Sequence, residues 1–241
     1  MTNLFQKMRM HGPSNFIKYA QIEGKARFYH WLLGSYSQGQ EDLFLNSLCK
    51  DKPTGFYVDI GAADGVKYSN TNYFYLKGWR GINIEPDPRN FSLLVKSRPH
   101  DTNLNIGISG CKSTATLYQF SPPVLCTLSS QVAQDFRKRG YKCVGQKTIN
   151  TDTLANVLDT YASNQVIDFF SVDTEGHDFE ILQSNDWQNY LPKFICIELE
   201  HSHLPLDGKE NNRLHNYLES KGYSQIFDNS INRIYRYFST R

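Results

Sequence analysis

The segment Val58-Asp59-Ile60-Gly61-Ala62-Ala63-Asp64-Gly65 ends a β-rich run, residues 55–60, in a glycine turn. Gly61 and Gly65 allow a tight turn and a close approach of backbone to ligand. Further β-rich runs follow at 81–85, 102–105, 166–173 and 194–200. Helical patterns cover 69–77, 88–96, 153–161, 177–183 and 209–221. Strands alternating with helices predict an α/β fold around a parallel sheet. Two last runs, 223–227 and 231–238, are separated by Asp228-Asn229-Ser230 and predict a hairpin-like pair at one sheet edge.

The chain has 241 residues, enough for one elaborated α/β domain. Residues 1–54 carry no strand pattern and read as a helical lead-in, with 40–48 its clearest amphipathic piece. Residues 55–241 form the sheet domain. Within it, 110–147 is rich in turn residues and contains Pro122-Pro123, so it reads as an insertion or lid-like region without the apolar periodicity for a core of its own. Lys and Arg number 26 against 24 Asp and Glu, a net charge of +2 that gives no bulk electrostatic reason to expect nucleic acid or an anionic membrane. Five cysteines without CxxC spacing fit neither a disulfide framework nor a zinc site, and predict a reduced, cytoplasmic protein. No run approaches the roughly 20 apolar residues of an integral membrane segment.

The loop chemistry selects a cofactor. A dinucleotide fingerprint reads GxGxxG and seats a diphosphate at the next helix, whereas this loop is spaced GxxxG and carries Asp59 and Asp64. Two carboxylates repel a diphosphate. They suit the ammonium and sulfonium of S-adenosylmethionine. Glu85 ends the second strand 26 residues after Asp59, where a carboxylate can accept the hydroxyl protons of a ribose.

An ordered set of segments resembles the FkbM-type methyltransferases, a branch of the class I S-adenosylmethionine-dependent enzymes. It comprises Tyr36-Ser-Gln-Gly-Gln-Glu-Asp-Leu43, residues 55–65 followed by Ser69-Asn-Thr71, and Gly78-Trp-Arg-Gly-Ile-Asn-Ile-Glu-Pro86. It continues through Asn105-Ile-Gly-Ile-Ser109, residues 167–176 and Pro192-Lys-Phe-Ile-Cys-Ile-Glu198. The resemblance implies a Rossmann-like, mostly parallel seven-stranded sheet with an antiparallel last strand and helices on both faces. It implies that Asp59, Gly61, Ala62 and Gly65 surround the methionine end of the cofactor. Glu85 and Pro86 then flank the ribose, Asn105 and Ile106 lie near the adenine, and Gln38, Asn70 and Asp173 complete the set. It also implies a carbohydrate hydroxyl as acceptor.

Two clusters remain at strand ends, Asp173-Thr-Glu-Gly-His-Asp178 and Glu198-Leu-Glu-His-Ser-His203. Neighbouring strands would bring them side by side. By resemblance to metal-dependent methyltransferases, Asp173, Glu198 and Glu200 would be oxygen ligands for Mg2+ or Mn2+. His177, His201 and Asp173 are then the catalytic candidates, a histidine taking the hydroxyl proton. The plainer reading has Glu175 serving a helix dipole from the first turn, His177 exposed on a helix and His201 on a loop surface. The basic residues Arg137, Lys138 and Arg139 read as a solvated helix face.

The expectation is an S-adenosylmethionine-dependent O-methyltransferase acting on a nucleotide sugar or glycan, with no nucleic-acid partner. Two other readings stay open: a nicotinamide-dependent sugar oxidoreductase or epimerase, which the missing GxGxxG and Asp64 oppose, and a noncatalytic binding module on the same fold.

Overall fold

The computed structural model describes residues 24, 27, 28, 30–198 and 209–238 of the 241. The elements are α1 (Glu41–Leu48), β1 (Phe56–Ile60), α2 (Asn72–Leu76), β2 (Arg80–Ile84), α3 (Pro88–Ser97), β3 (Thr102–Leu104), β4 (Gly107–Ile108) and β5 (Ser113–Ser121). They continue with α4 (Ser130–Lys138), β6 (Lys142–Asp152), α5 (Leu154–Tyr161), β7 (Phe169–Val172), α6 (Asp178–Gln183), β8 (Phe194–Glu198), α7 (Lys209–Ser220), β9 (Tyr223–Asp228) and β10 (Asn232–Tyr237).

Seven strands form one sheet in the order β3-β2-β1-β7-β8-β10-β9. Every pairing is parallel except those of β10, which runs antiparallel to both β8 and β9. This is the Rossmann-like, mostly parallel seven-stranded sheet that the resemblance implies, with the antiparallel strand in the last-but-one position. The expected closing pair is present, with β10 inserted between β8 and the edge strand β9. The direction of winding reverses at β1, so the crevice for a ligand opens where β1 and β7 end.

Both faces of the sheet are covered, which is why the central strands read as nearly continuous apolar runs. Alternate residues divide between two cores. Val58, Ile60, Ile82, Ile84, Phe170, Val172, Ile195 and Ile197 pack against Leu154 and Leu158 of α5, Ile181 and Leu182 of α6 and Leu218 of α7. Tyr57, Phe169, Phe194, Cys196 and Ile234 face the other way, onto Leu45 of α1, Phe74 of α2 and Trp79. Helix starts follow their capping residues: Asp87, Ser129 and Thr153 each accept a hydrogen bond from a first-turn N–H of α3, α4 and α5, and Pro88 opens α3.

The turn-rich region corrects the sequence reading. Strands β4, β6 and β5 form a second sheet over residues 107–152, wider than the expected 110–147. It has a small core of its own, in which Val132, Ala133 and Phe136 of α4 close on Phe120 and Leu125. The polar sequence of β5 and β6 conceals this, because much of that sheet is exposed and only Leu117, Phe120, Ile149 and Thr151 are buried along the two strands. Among the described residues, no helix is long and apolar enough to cross a membrane.

Candidate active site

A cleft runs across the ends of β1, β2, β7 and β8 and is walled on its far side by residues 122–128 and Tyr141 of the second sheet. Its floor is the glycine loop. Gly61 has a φ of +88° and donates to the Ile84 carbonyl at 2.9 Å. A Cβ at Gly61 would lie 1.8 Å from the carbonyl oxygen of Asp173, so no other residue fits without moving backbone. Gly65, with a φ of +74°, is set behind the cleft wall, where a Cβ would meet Leu94 and Ser97. Its part is packing the loop onto α3.

Asp59 lines the cleft, is 4% exposed, and accepts a 2.6 Å hydrogen bond from the Thr71 hydroxyl. Burial raises its carboxyl above the usual range, opposed by the Thr71 hydrogen bond and by the nearby Arg98 guanidinium. Arg98 is itself fully buried and donates to the Gly65 carbonyl, the Tyr57 hydroxyl, Ser69 and Thr71. One guanidinium thereby ties α3 to β1, the glycine loop and the turn before α2. The sequence reading missed it, because these four hydrogen-bond acceptors lie 27 to 41 positions away.

Glu85 accepts hydrogen bonds from the backbone N–H groups of Ala63 at 2.8 Å and Asp87 at 2.7 Å. Burial pushes its carboxyl up to about 8 against those donors. Gln38, Ala62, Asn70, Pro86 and Ile106 also border the cleft. The Asn70 amide donates to Ser171 at 3.3 Å, while its oxygen is buried and has no partner. Ile84, Ile106, Ile108 and Leu117 supply an apolar stretch beside Glu85.

Two expected contributors stand elsewhere. Asn105 donates to the backbone carbonyls of Glu85 and Pro86 and braces the end of β2 from outside the cleft lining. Asp64 accepts from the N–H groups of Val66 and Lys67 at 2.9 and 2.8 Å, stabilising a turn away from the cleft. The negative character assigned to Asp64 comes instead from the far side of Gly61.

There, Asp173, Glu175 and Glu198 bring carboxylate oxygens within 4.8 Å of one another while remaining open to the cleft. Burial raises all three carboxyls, reinforced by the charges of Asp59 and Glu41 on Asp173 and by the charge of Asp173 on Glu175 and Glu198. Glu175 is a correction. It precedes α6 rather than occupying its first turn, and its φ of +53° beside Gly176 at +95° places it in a tight loop on the cleft. Asp178 accepts from the N–H and hydroxyl of Thr174 and fixes that loop. Glu200 and His201 lie outside the described residues.

His177 lines the cleft with its side chain 19% exposed. Its Nδ1 lies 3.2 Å from Glu180 Oε2, and its Nε2 is buried without a partner. A neutral imidazole held through Nδ1 leaves Nε2 as a proton acceptor.

The second sheet is fastened at both ends of the cleft. The Asp87 carboxylate receives hydrogen bonds from Arg89, Gln119 at 3.1 Å and the Cys126 thiol at 3.0 Å. Burial alone would raise Asp87, yet the Arg89 and Cys126 hydrogen bonds hold it below the usual carboxylate range. At the other end the Thr127 hydroxyl donates to the Glu175 carbonyl at 2.8 Å.

Chemically, Asp59 and the open Asn70 oxygen can receive an ammonium, Glu85 can receive two ribose hydroxyls, and the isoleucine stretch can cover an adenine. Three clustered carboxylates offer oxygen ligands to a hard divalent cation.

The profile of the methyltransferase FkbM domain matches residues 59–224. No match is found among curated proteins. Similar solved structures include the human methyltransferase 10 domain containing protein, at 12% identity over 99% of both chains with a TM-score of 0.46. A TehB-like SAM-dependent methyltransferase from Corynebacterium glutamicum is 10% identical over 94% of this chain and 100% of its own, with a TM-score of 0.43. A Methanococcus jannaschii fibrillarin, a pre-rRNA processing protein, is 16% identical over 77% of this chain and 67% of its own, with a TM-score of 0.43.

Proposed function

Since the chain belongs to the FkbM methyltransferase family, we propose that it moves the methyl group of S-adenosylmethionine to a hydroxyl of a carbohydrate, a nucleotide sugar or a glycan, with a divalent cation beside the acceptor. The observation that carries this reading is the trio Asp173, Glu175 and Glu198 lining the same cleft as His177, whose Nε2 is unpartnered. A sugar hydroxyl is a weak nucleophile until its proton is removed or its pKa lowered.

The chain's own groups divide the work. Asp59 and Asn70 hold the ammonium of the donor, and Glu85 holds its ribose. Gly61 keeps the donor loop against the backbone of Asp173, so that the donor loop and the acidic loop border the same cleft. Asp173, Glu175 and Glu198 would hold Mg2+ or Mn2+, whose charge would lower the pKa of a bound hydroxyl. His177 Nε2 takes the acceptor proton as the oxygen attacks the methyl carbon, and Glu180 steadies the imidazole through Nδ1. The sulfonium leaves as a neutral thioether, which balances the charge. Alignment of oxygen, carbon and sulfur supplies much of the rate, because the attack is in line.

The direct test is calorimetric titration with S-adenosylhomocysteine, followed by methyl transfer to a panel of nucleotide sugars with and without Mg2+. Binding that Asp59→Ala weakens, and transfer that chelator stops, support the reading. Transfer to RNA or protein in place of sugars would reassign the acceptor.

A further inference from the structure

Two buried carboxylates at the start of α1 hold the turn before it. Glu41 and Asp42 are both fully buried. Glu41 accepts hydrogen bonds from the Gly39 N–H at 2.8 Å and from the side-chain amides of Asn229 and Asn232, each at 2.7 Å. Asp42 accepts from the Ser35 and Ser37 hydroxyls at 2.6 and 2.9 Å, and from the Tyr36 and Leu43 N–H groups at 2.6 and 2.8 Å. A buried carboxylate is tolerated only where hydrogen bonds replace water, so these donors are pinned in place. Gly39 is pinned as well, because a Cβ there would collide with the Asn229 amide. The following residue, Gln40, takes a φ of +70°, which is uncommon without glycine. What the clamp presents is Gln38. This side chain is half-buried and lines the cleft, and among the described residues its amide has no hydrogen-bond partner.

The clamp stands on the side of the acidic trio. Asn232 is the cross-strand partner of Glu198 in the pairing of β8 with β10, so Glu198, Asn232, Glu41 and Gly39 form a continuous path to Gln38. The charge of Glu41 also reaches Asp173. The anchoring strand β10 is three positions from β1 in the sheet, about 14 Å at ordinary strand spacing, which sets the clamp apart from Asp59. The resemblance puts Gln38 with the donor, whereas its anchorage is beside the trio. We propose that Gln38 binds the methyl acceptor, its amide gripping a hydroxyl next to the one that is methylated. An amide both donates and accepts, as a hydroxyl does, so the pair is matched without a charge. The cleft then prefers an acceptor with neighbouring hydroxyls, as on a sugar ring. This inference rests on the reading of the trio as the acceptor side. Glu41 and Asp42 are positioning residues that act through the turn.

Gln38→Ala and Gly39→Ala are compared with wild type on the acceptor that a panel of nucleotide sugars, RNA and protein identifies. Gln38→Ala should leave S-adenosylhomocysteine affinity and Tm unchanged and raise the acceptor KM about 3-fold to 10-fold, the range for one hydrogen bond between neutral groups. Gly39→Ala shifts the clamp without altering the amide, and should reproduce the KM rise with S-adenosylhomocysteine affinity intact. With a sugar acceptor, the deoxy analogue that lacks the neighbouring hydroxyl should show the same KM in wild type and Gln38→Ala. A weaker S-adenosylhomocysteine affinity in Gln38→Ala would return the residue to the donor and overturn the proposal. So would an unchanged acceptor KM, or a KM rise that the deoxy analogue shares. Wild type that binds no S-adenosylhomocysteine would instead sink the reading of the cleft as a whole. Transfer to RNA or protein alone would move the acceptor class, and the KM comparison on that acceptor would still decide the part of Gln38. Where nothing in the panel is methylated, the structure of the S-adenosylhomocysteine complex decides: an amide bonded to that ligand overturns the proposal, and one left open to the cleft supports it.

Discussion

The Thr71 hydroxyl donates to Asp59 Oδ2 at 2.6 Å and accepts from Arg98 Nη2 at 3.1 Å, so one hydroxyl connects the buried guanidinium to the carboxylate that faces the cleft. Thr71→Val preserves shape and removes the relay. A hydrogen bond to a buried charged group contributes about 1.5–3 kcal/mol, so S-adenosylhomocysteine affinity should fall about 10-fold to 100-fold. Thr71→Ser should restore most of it. Calorimetry on both variants decides the matter, and equal affinity in Thr71→Val and wild type would remove the relay from donor binding.

Glu85 makes donor binding pH-dependent. Its carboxyl titrates near about 8 in the free protein, and only the ionised form accepts both ribose hydroxyls. Below that pH binding must expel a proton, so affinity should rise with pH from about 6 to 8 and level off above. Titrations in buffers of different ionisation enthalpy should register proton release near neutral pH. Glu85→Gln should bind more weakly and lose that release.

The same raised groups set the sign of stability against pH. Acids whose folded pKa exceeds the unfolded value favour the native state below the unfolded pKa and lose that contribution as pH rises through the folded one. For Glu85 the window runs from about 4.5 to about 8, and for Asp178 from 3.8 to about 6. The free protein should therefore lose stability from mildly acidic pH toward pH 8. Calorimetric melting across this range tests it, and donor should protect most at the alkaline end.

The acidic trio predicts opposite effects on stability and activity. Glu198→Gln removes a buried like charge, so Tm of the free protein near pH 7.5 should rise or hold. The gain in Tm on adding Mn2+ should disappear, and turnover should fall by about two orders of magnitude if a base and a cation both act there. A variant that keeps its Mn2+ shift would place the cation elsewhere.

Asp87→Asn should loosen the second sheet. It weakens the bonds to Arg89, Gln119 and Cys126, each part of the tie between β2 and residues 107–152. A loss of about 1–3 kcal/mol corresponds to a Tm drop of about 3–10 °C for a chain of this size. Proteolysis should then cut first within residues 119–128.

The main sheet was legible in the sequence because its strands are apolar on both faces and each ends at a turn or a charged residue, as at Asp59, Glu85 and Asp173. Residues that act at those ends could be read from position alone. What escaped was set by long-range contact. Arg98 looks like an ordinary residue at a helix end, and nothing local announces that it reaches Gly65, Ser69 and Thr71. The second sheet escaped because β5 and β6 alternate weakly, and Phe120 meets Phe136 only after the chain has folded back. Glu175 was misjudged because it lies three residues before the first residue of α6, while Asp64 and Asn105 have the right chemistry and point to backbone.

The missing side chain at Gly61 has a practical consequence for redesign. Because the space a Cβ would need at Gly61 is taken by the carbonyl of Asp173, the donor loop and the acidic loop cannot be altered separately. Bulk added to residues 173–176 in search of a new acceptor would register first as weakened donor affinity. The opposite wall, where Val124 and Tyr141 face the cleft from a separate sheet, is the place from which acceptor choice can be evolved without disturbing the methyl donor.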